Sequence, residues 1–126
     1  RFISEDQKNR ARDKMKEIIL NNLPQTSATI SFTDNYPSMG PTEANSLLLE
    51  RLNQVSLDMG QDAVVAYDPG KRGAADISFV AQYVACLDGL GTMGSGAHTP
   101  NETVDLETMN LLIQRTAVLI YRLINE

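Results

Sequence analysis

Val84-Ala85-Cys86-Leu87-Asp88-Gly89-Leu90-Gly91-Thr92-Met93-Gly94-Ser95-Gly96-Ala97-His98-Thr99-Pro100-Asn101-Glu102 begins as a short apolar strand and opens into a glycine-rich loop. A helix pattern follows, from about Asp105 to the C-terminus. Its apolar stripe of Met109, Leu112, Ile113, Thr116, Leu119, Ile120, Leu123 and Ile124 is broad, which suits a helix lying flat on a sheet better than a two-helix seam. Strand, loop and helix in that order are the parts of an α/β layer, and ligands of open α/β sheets sit beyond the carboxyl ends of the strands. Glycine at positions 89, 91, 94 and 96 permits tight turns and close backbone approach to a ligand. His98 on this loop is therefore a candidate functional residue; the competing reading is a histidine on a flexible surface loop.

Upstream the same grammar continues. A helix is expected over 42–59, with Thr42 as its cap, Ala44, Leu48, Leu52, Val55 and Met59 on one face, and Gly60 at the stop. Ala63 to Tyr67 reads as a short strand ended by Asp68-Pro69-Gly70. A short helix is expected from Gly73 to about Tyr83, and 84–87 is the next strand. From residue 42 the order is α-β-α-β-α, which implies a covered sheet.

Residues 4–33 form a separate α-β unit. Ser4-Glu5-Asp6-Gln7 has the form of a capping box. Ala11, Met15, Ile18, Ile19 and Leu23 make an apolar stripe, and Lys8, Arg10, Arg12, Asp13, Lys14, Lys16 and Glu17 read as a solvated face. Pro24 stops the helix. Residues 26–33 alternate, with Ala28, Ile30 and Phe32 on one side, as in a half-buried strand. Asp34 to Pro41 is a connection with the character of a domain crossing. One strand is not a sheet, so this unit reads as half of something, and the chain as the back end of a two-domain protein.

Composition narrows the function. The 126 residues carry 11 Lys and Arg against 16 Asp and Glu, a net charge of −5, with one His, one Cys and no Trp. No internal disulfide is possible. One His and one Cys cannot complete a zinc site without carboxylates or residues from outside the chain. Any histidine-dependent nucleophilic mechanism has only His98 to use. An acidic chain without a basic patch is a poor match for nucleic acid, and no apolar run approaches the roughly 20 residues of a membrane span. Cys86, in an apolar setting, is expected to be a buried, inert thiol. No signal-peptide pattern is present, and compartment stays open. A second candidate feature is Lys71-Arg72-Gly73-Ala74-Ala75-Asp76, where small residues open a helix whose N–H groups suit an anion and Asp76 is a cap or first-turn carboxylate.

The series "YPSM", then "GAAD", then "DGLGTMGSGAHTPNETVDL" resembles one family over essentially the whole chain: the di-zinc aminoacylase and glutamate-carboxypeptidase family, which includes carboxypeptidase G and succinyl-diaminopimelate desuccinylase. The string G-x-G-A-H-[TS]-x-x-E-x-V-D-L is its specific part. The resemblance implies an α/β fold: the second half of a mixed-sheet zinc-exopeptidase catalytic domain (36–126), preceded by a helix-strand remnant of the lid or dimerisation domain (1–35). It implies that His98 is one metal ligand of a two-zinc centre, and that Arg1, Arg72, Gly73 and Ala74 bind the substrate carboxylate, with no catalytic base in this stretch. The other metal ligands and the glutamate base of such enzymes have no counterpart here. Tyr36 stands before Pro37 where glutamate-specific relatives can have arginine. The implied activity is hydrolysis of the amide bond of a C-terminal or N-acylated amino acid, with a peptide or N-acyl amino acid as substrate, neither nucleic acid nor membrane as partner, and a homodimer as assembly. The 126-residue chain alone is expected to be inactive. The alternative is a non-catalytic peptide- or amino-acid-binding member of the same fold.

Overall fold

A computed structural model describes residues 2–126. The chain divides into two compact units, Arg1–Pro41 with Tyr67–Val84, and Thr42–Ala66 with Ala85–Glu126.

In the first unit, helix α1 spans Glu5–Ile19. Ser4 caps it, its hydroxyl accepting the Gln7 N–H at 3.2 Å. Gln7 reaches back to the N–H of Ile3 at 2.7 Å, one residue before the cap, so the box closes one step upstream of its usual place. The helix ends at Leu20, earlier than the expected Asn22. A turn then runs from Leu23 to Thr26, closed by Thr26 N–H to the Leu23 carbonyl at 3.1 Å. Pro24 fits its second position, and Gln25 takes a φ of 63° at the third, as a type II turn requires.

The faces of α1 differ from the periodicity reading. Met15, Ile18 and Leu23 are 46%, 59% and 75% exposed, so the apolar stripe lies open. Two cations of the expected solvated face are covered instead, the Lys8 side chain at 14% exposure and Arg12 at 22%. Their aliphatic stems pack while their charged ends find partners, a distribution that hydropathy counting does not register. Arg12 holds both oxygens of Asp34, at 3.1 and 2.6 Å, and lies 4.8 Å over the Phe32 ring. Lys8 pairs with Glu5 and with Asp34 at 3.4 Å, and sits 5.4 Å over the Phe2 ring. Only the remainder behaves as a solvated face, with exposed pairs Lys14–Glu17 and Lys16–Asp13 of the kind that stabilise little.

The expected strand over 26–33 has no ladder and no regular secondary structure. Alternation selects faces but does not supply a neighbour, and among the described residues none is provided. The expected helix from Gly73 to Tyr83 shrinks to one 3₁₀ turn, Asp76–Phe79, followed by further turns.

In the second unit, α2 spans Glu43–Asp58 and α3 spans Leu106–Asn125. Thr42 caps α2, accepting the Asn45 N–H at 3.1 Å. Its end is a full Schellman closure: Gly60 at φ 71° donates to Leu57, and Gln61 donates to Ser56, both at 2.9 Å. Leu52, Val55 and Leu119 form a contiguous buried cluster, with Leu49, Met59, Val64, Leu87, Leu90 and Val118 packed around it; Leu112 and Cys86 are buried as well. Ala44 is exposed, so the buried stripe is rotated toward Leu49 and Ser56 relative to the apolar pattern. Ser56 is fully buried and donates to the Asp62 carbonyl at 2.7 Å.

The expected strands 63–67 and 84–87 also lack ladders. Their backbone is bonded to α2 instead. Val64 N–H donates to the side-chain oxygen of Asn53, and Cys86 N–H to that of Asn45, each at 2.9 Å. Two asparagines thus take the place of a neighbouring strand, and satisfy amides that burial would otherwise penalise. The sheet present among the described residues is the antiparallel pair β1 (Met93–Ser95) and β2 (Thr103–Asp105).

Candidate functional site

The glycine-rich stretch is a built hairpin and not a floppy loop. Met93, Gly94 and Ser95 stand opposite Asp105, Val104 and Thr103. The pairing needs Gly94, because a Cβ there would lie 2.1 Å from the Thr103 carbonyl oxygen. Gly96 starts the tip at a φ of 67°, and a Cβ on it would stand 2.8 Å from the Asn101 carbonyl oxygen.

The tip has two linked turns. Thr99 N–H and hydroxyl both donate to the Gly96 carbonyl, at 3.0 and 2.7 Å. Glu102 N–H donates to the Thr99 carbonyl at 3.1 Å, and Asn101 N–H to the Thr99 hydroxyl at 3.2 Å. The Glu102 carboxylate accepts the His98 N–H at 3.3 Å. His98 occupies the third position of the first turn with a φ of 67°, a conformation uncommon for a residue with a side chain. At the far end, Asp105 closes β2 and caps α3, accepting from Glu107 N–H at 2.9 Å and Thr108 N–H at 3.4 Å. Nearly every residue of the G-S-G-A-H-T-P-N-E-T-V-D string therefore has a task in shaping the hairpin. The imidazole of His98 has none: among the described residues it forms no hydrogen bond or ion pair, and the residue is exposed.

Cys86 is buried at 8% exposure, and burial followed by the nearby Asp88 charge pushes its thiol above the ordinary range. It is the inert core thiol the sequence suggested.

The second candidate feature belongs to the first unit. Ala75, not Asp76, precedes the 3₁₀ turn, and no side chain caps it. Asp76 sits in the turn itself, where its carboxylate accepts the Tyr36 hydroxyl at 3.0 Å. That hydrogen bond, with the carboxylate charge behind it, raises the Tyr36 phenol above its usual value. The Tyr36 ring also meets Phe79, centroids 5.3 Å apart. Arg72 donates to the Met39 carbonyl. Gly73 and Ala74 are exposed beside it. A four-residue turn offers no helix N-terminus for an anion, so any carboxylate contact at Gly73 and Ala74 uses loop N–H groups. Arg1 lies outside the described residues. The pairing of Tyr36 with Asp76 was not legible in the sequence, since 40 positions separate them.

The family model for peptidase family M20/M25/M40 matches residues 5–122. The chain belongs to this family. It is a family of metallopeptidases and hydrolases that generally use zinc. No curated protein and no solved structure matches the chain.

Among the described residues no group of three His, Cys, Asp or Glu side chains is placed to hold a metal. His98 is the sole imidazole of the chain, and Glu102 is engaged with its backbone. A zinc site needs three or four protein ligands, so this stretch of an M20/M25/M40 chain does not by itself fit the metal.

Proposed function

We propose that this chain is the carboxyl-terminal portion of a zinc-dependent amidohydrolase or carboxypeptidase, acting on a peptide or N-acyl amino acid, in which His98 supplies one imidazole to a two-zinc centre completed by residues outside the chain. The observation that carries this reading is the His98 turn. A hairpin whose glycines, threonines and glutamate are all occupied in shaping it holds one left-handed histidine with an unengaged imidazole. Non-glycine residues in such backbone conformations concentrate at functional sites. The chain's own groups divide the remaining work. Arg72, Gly73 and Ala74, with Arg1, bind the substrate carboxylate. At Gly73 neither turn geometry nor packing calls for glycine, since its φ is not left-handed and a Cβ would meet nothing within 4 Å. Close approach of a ligand to a bare backbone is a reason that remains.

The 126-residue chain is expected to show no zinc-dependent turnover of dipeptides or N-acyl amino acids. Turnover that survives repurification and disappears in His98→Ala would overturn that expectation. With the upstream coding region restored, hydrolysis is expected to appear and to fall roughly a hundredfold or more in His98→Ala, as losses at metal shells do. Absence of turnover in a folded, zinc-loaded full-length protein would sink the hydrolase reading. It would favour a non-catalytic binder of peptides or amino acids, which the incomplete donor set also suits.

Association as a homodimer belongs to the same proposal. The unpaired, alternating edge over 26–33 and the open apolar stripe of α1 are surfaces of the kind that self-associate. Light scattering is expected to give the mass of a dimer, and a concentration-independent monomer would refute it.

A further inference from the structure

Two motifs that the sequence reading kept apart meet on one short segment of the first unit. Residues 34–39 are held from one side by α1. Arg12 takes both Asp34 oxygens, Lys8 approaches Asp34 at 3.4 Å, and Glu5 accepts the Ser38 N–H and hydroxyl at 3.3 and 3.2 Å. The same segment is held from the other side by the 72–79 turn, through the Tyr36 hydroxyl on Asp76, the Tyr36 ring against Phe79, and Arg72 on the Met39 carbonyl. Two arms thus grip alternating positions of six consecutive residues.

We propose that residues 34–39 are a two-sided latch that couples α1 to the 72–79 turn, so that displacing one arm loosens the other. Exposed ion pairs taken singly stabilise little. Here Asp34 is shared between two cations whose stems are mostly covered, and each cation also lies over an aromatic ring. The segment between the arms is short and contains Pro37, whose fixed φ limits how far strain at one end can relax before it reaches the other. Where Arg72, Gly73 and Ala74 bind a substrate carboxylate, a reading this consequence rests on, occupancy of that turn is transmitted to α1. The latch would then be a route by which the carboxylate regulates the position of the helix.

The coupling itself is measurable without substrate, so its failure is distinct from failure of the hydrolase reading. Hydrogen exchange on the 126-residue chain has reporters on the far arm in the amides of Ser78, Val80 and Ala81, which are bonded to Ala75, Ile77 and Ile77 at 3.0 Å each. Asp34→Asn is expected to speed exchange at these three amides roughly threefold, while α2 and α3 are unchanged. Tyr36→Phe is expected to do the same to the Ser38 amide on the near arm. Asp34→Glu keeps a carboxylate for both Arg12 and Lys8 and is expected to retain protection at 78–81. Faster exchange at 34–38 alone in Asp34→Asn would overturn the coupling and leave two independent contacts. Loss of protection across α2 and α3 in Asp34→Asn, or the same loss at 78–81 in Asp34→Glu, would overturn it as well.

Discussion

Leu119→Ala is expected to lower the stability of the second unit by about 3 kcal/mol, within the usual range of 2–5 kcal/mol for truncating a buried leucine. The reason lies in how small the buried core is: besides this cluster only Leu112 and Cys86 are buried hydrophobics of the unit among the described residues. Leu119 is 4% exposed and packs with Leu52 at 2% and Val55 at 0%. These three side chains are where α3 meets α2, and partly covered residues supply the rest. Removing three carbons leaves a cavity between two helices, and the segments around Val64 and Cys86 are fixed by asparagine hydrogen bonds that hinder collapse into it. The comparison is Ile120→Ala, one position along the same helix at 51% exposure, which is expected to cost below roughly 1 kcal/mol. Urea unfolding followed by far-ultraviolet circular dichroism measures both, and equal losses in the two variants would show that the core has been misplaced.

Legibility in the sequence followed the range of the interaction. Helix starts and stops were readable because their determinants lie within a few residues: Ser4 and Gln7, Thr42 before Asn45, Gly60 beside Leu57, and Asp105 before Glu107. The segments 26–33, 63–67 and 84–87 read as strands, but none of them is in a ladder. Hydropathy alternation is a local property; a ladder needs a neighbour, and Asn45 and Asn53 took that role from 41 and 11 positions away. The charged face of α1 failed for a related reason. Lys8 and Arg12 are spaced as a solvated i, i+4 pair, and only their meeting with Asp34, Phe2 and Phe32 turns them inward. The candidate site shows the same division. The glycine-rich surroundings single out His98 but hide the hairpin, because glycine density signals a loop whereas Gly94 here allows two strands to pair. Thr103 and Val104, both β-branched, were the available hint.

Gly94→Ala is expected to abolish the β1–β2 pairing, and with it the placement of His98. A Cβ at residue 94 would stand 2.1 Å from the Thr103 carbonyl oxygen, 3.1 Å from its carbon and 3.3 Å from the Val104 Cα. Each of these is backbone, so no rotamer change relieves the clash, and the strands must separate. The paired strands are only three residues each and exposed throughout, so no buried core opposes their separation. Strand separation removes the frame that sets the Gly96–Thr99 turn and the His98 N–H bond to Glu102. Gly91→Ala is the matched control, since a Cβ there meets nothing within 4 Å and its φ is not left-handed. Cross-strand nuclear Overhauser effects between the α-protons around 94 and 104 report the pairing, and the His98 ring resonances report its surroundings. Both signals are expected to vanish or shift in Gly94→Ala and to persist in Gly91→Ala. Asp105 caps α3 through contacts to Glu107 and Thr108 that lie outside the hairpin, so α3 is expected to keep its helicity in both variants. A Gly94→Ala protein that retained the cross-strand signals would mean that the hairpin tolerates a side chain at this position. The link from the glycine-rich motif to the orientation of its histidine would then fail.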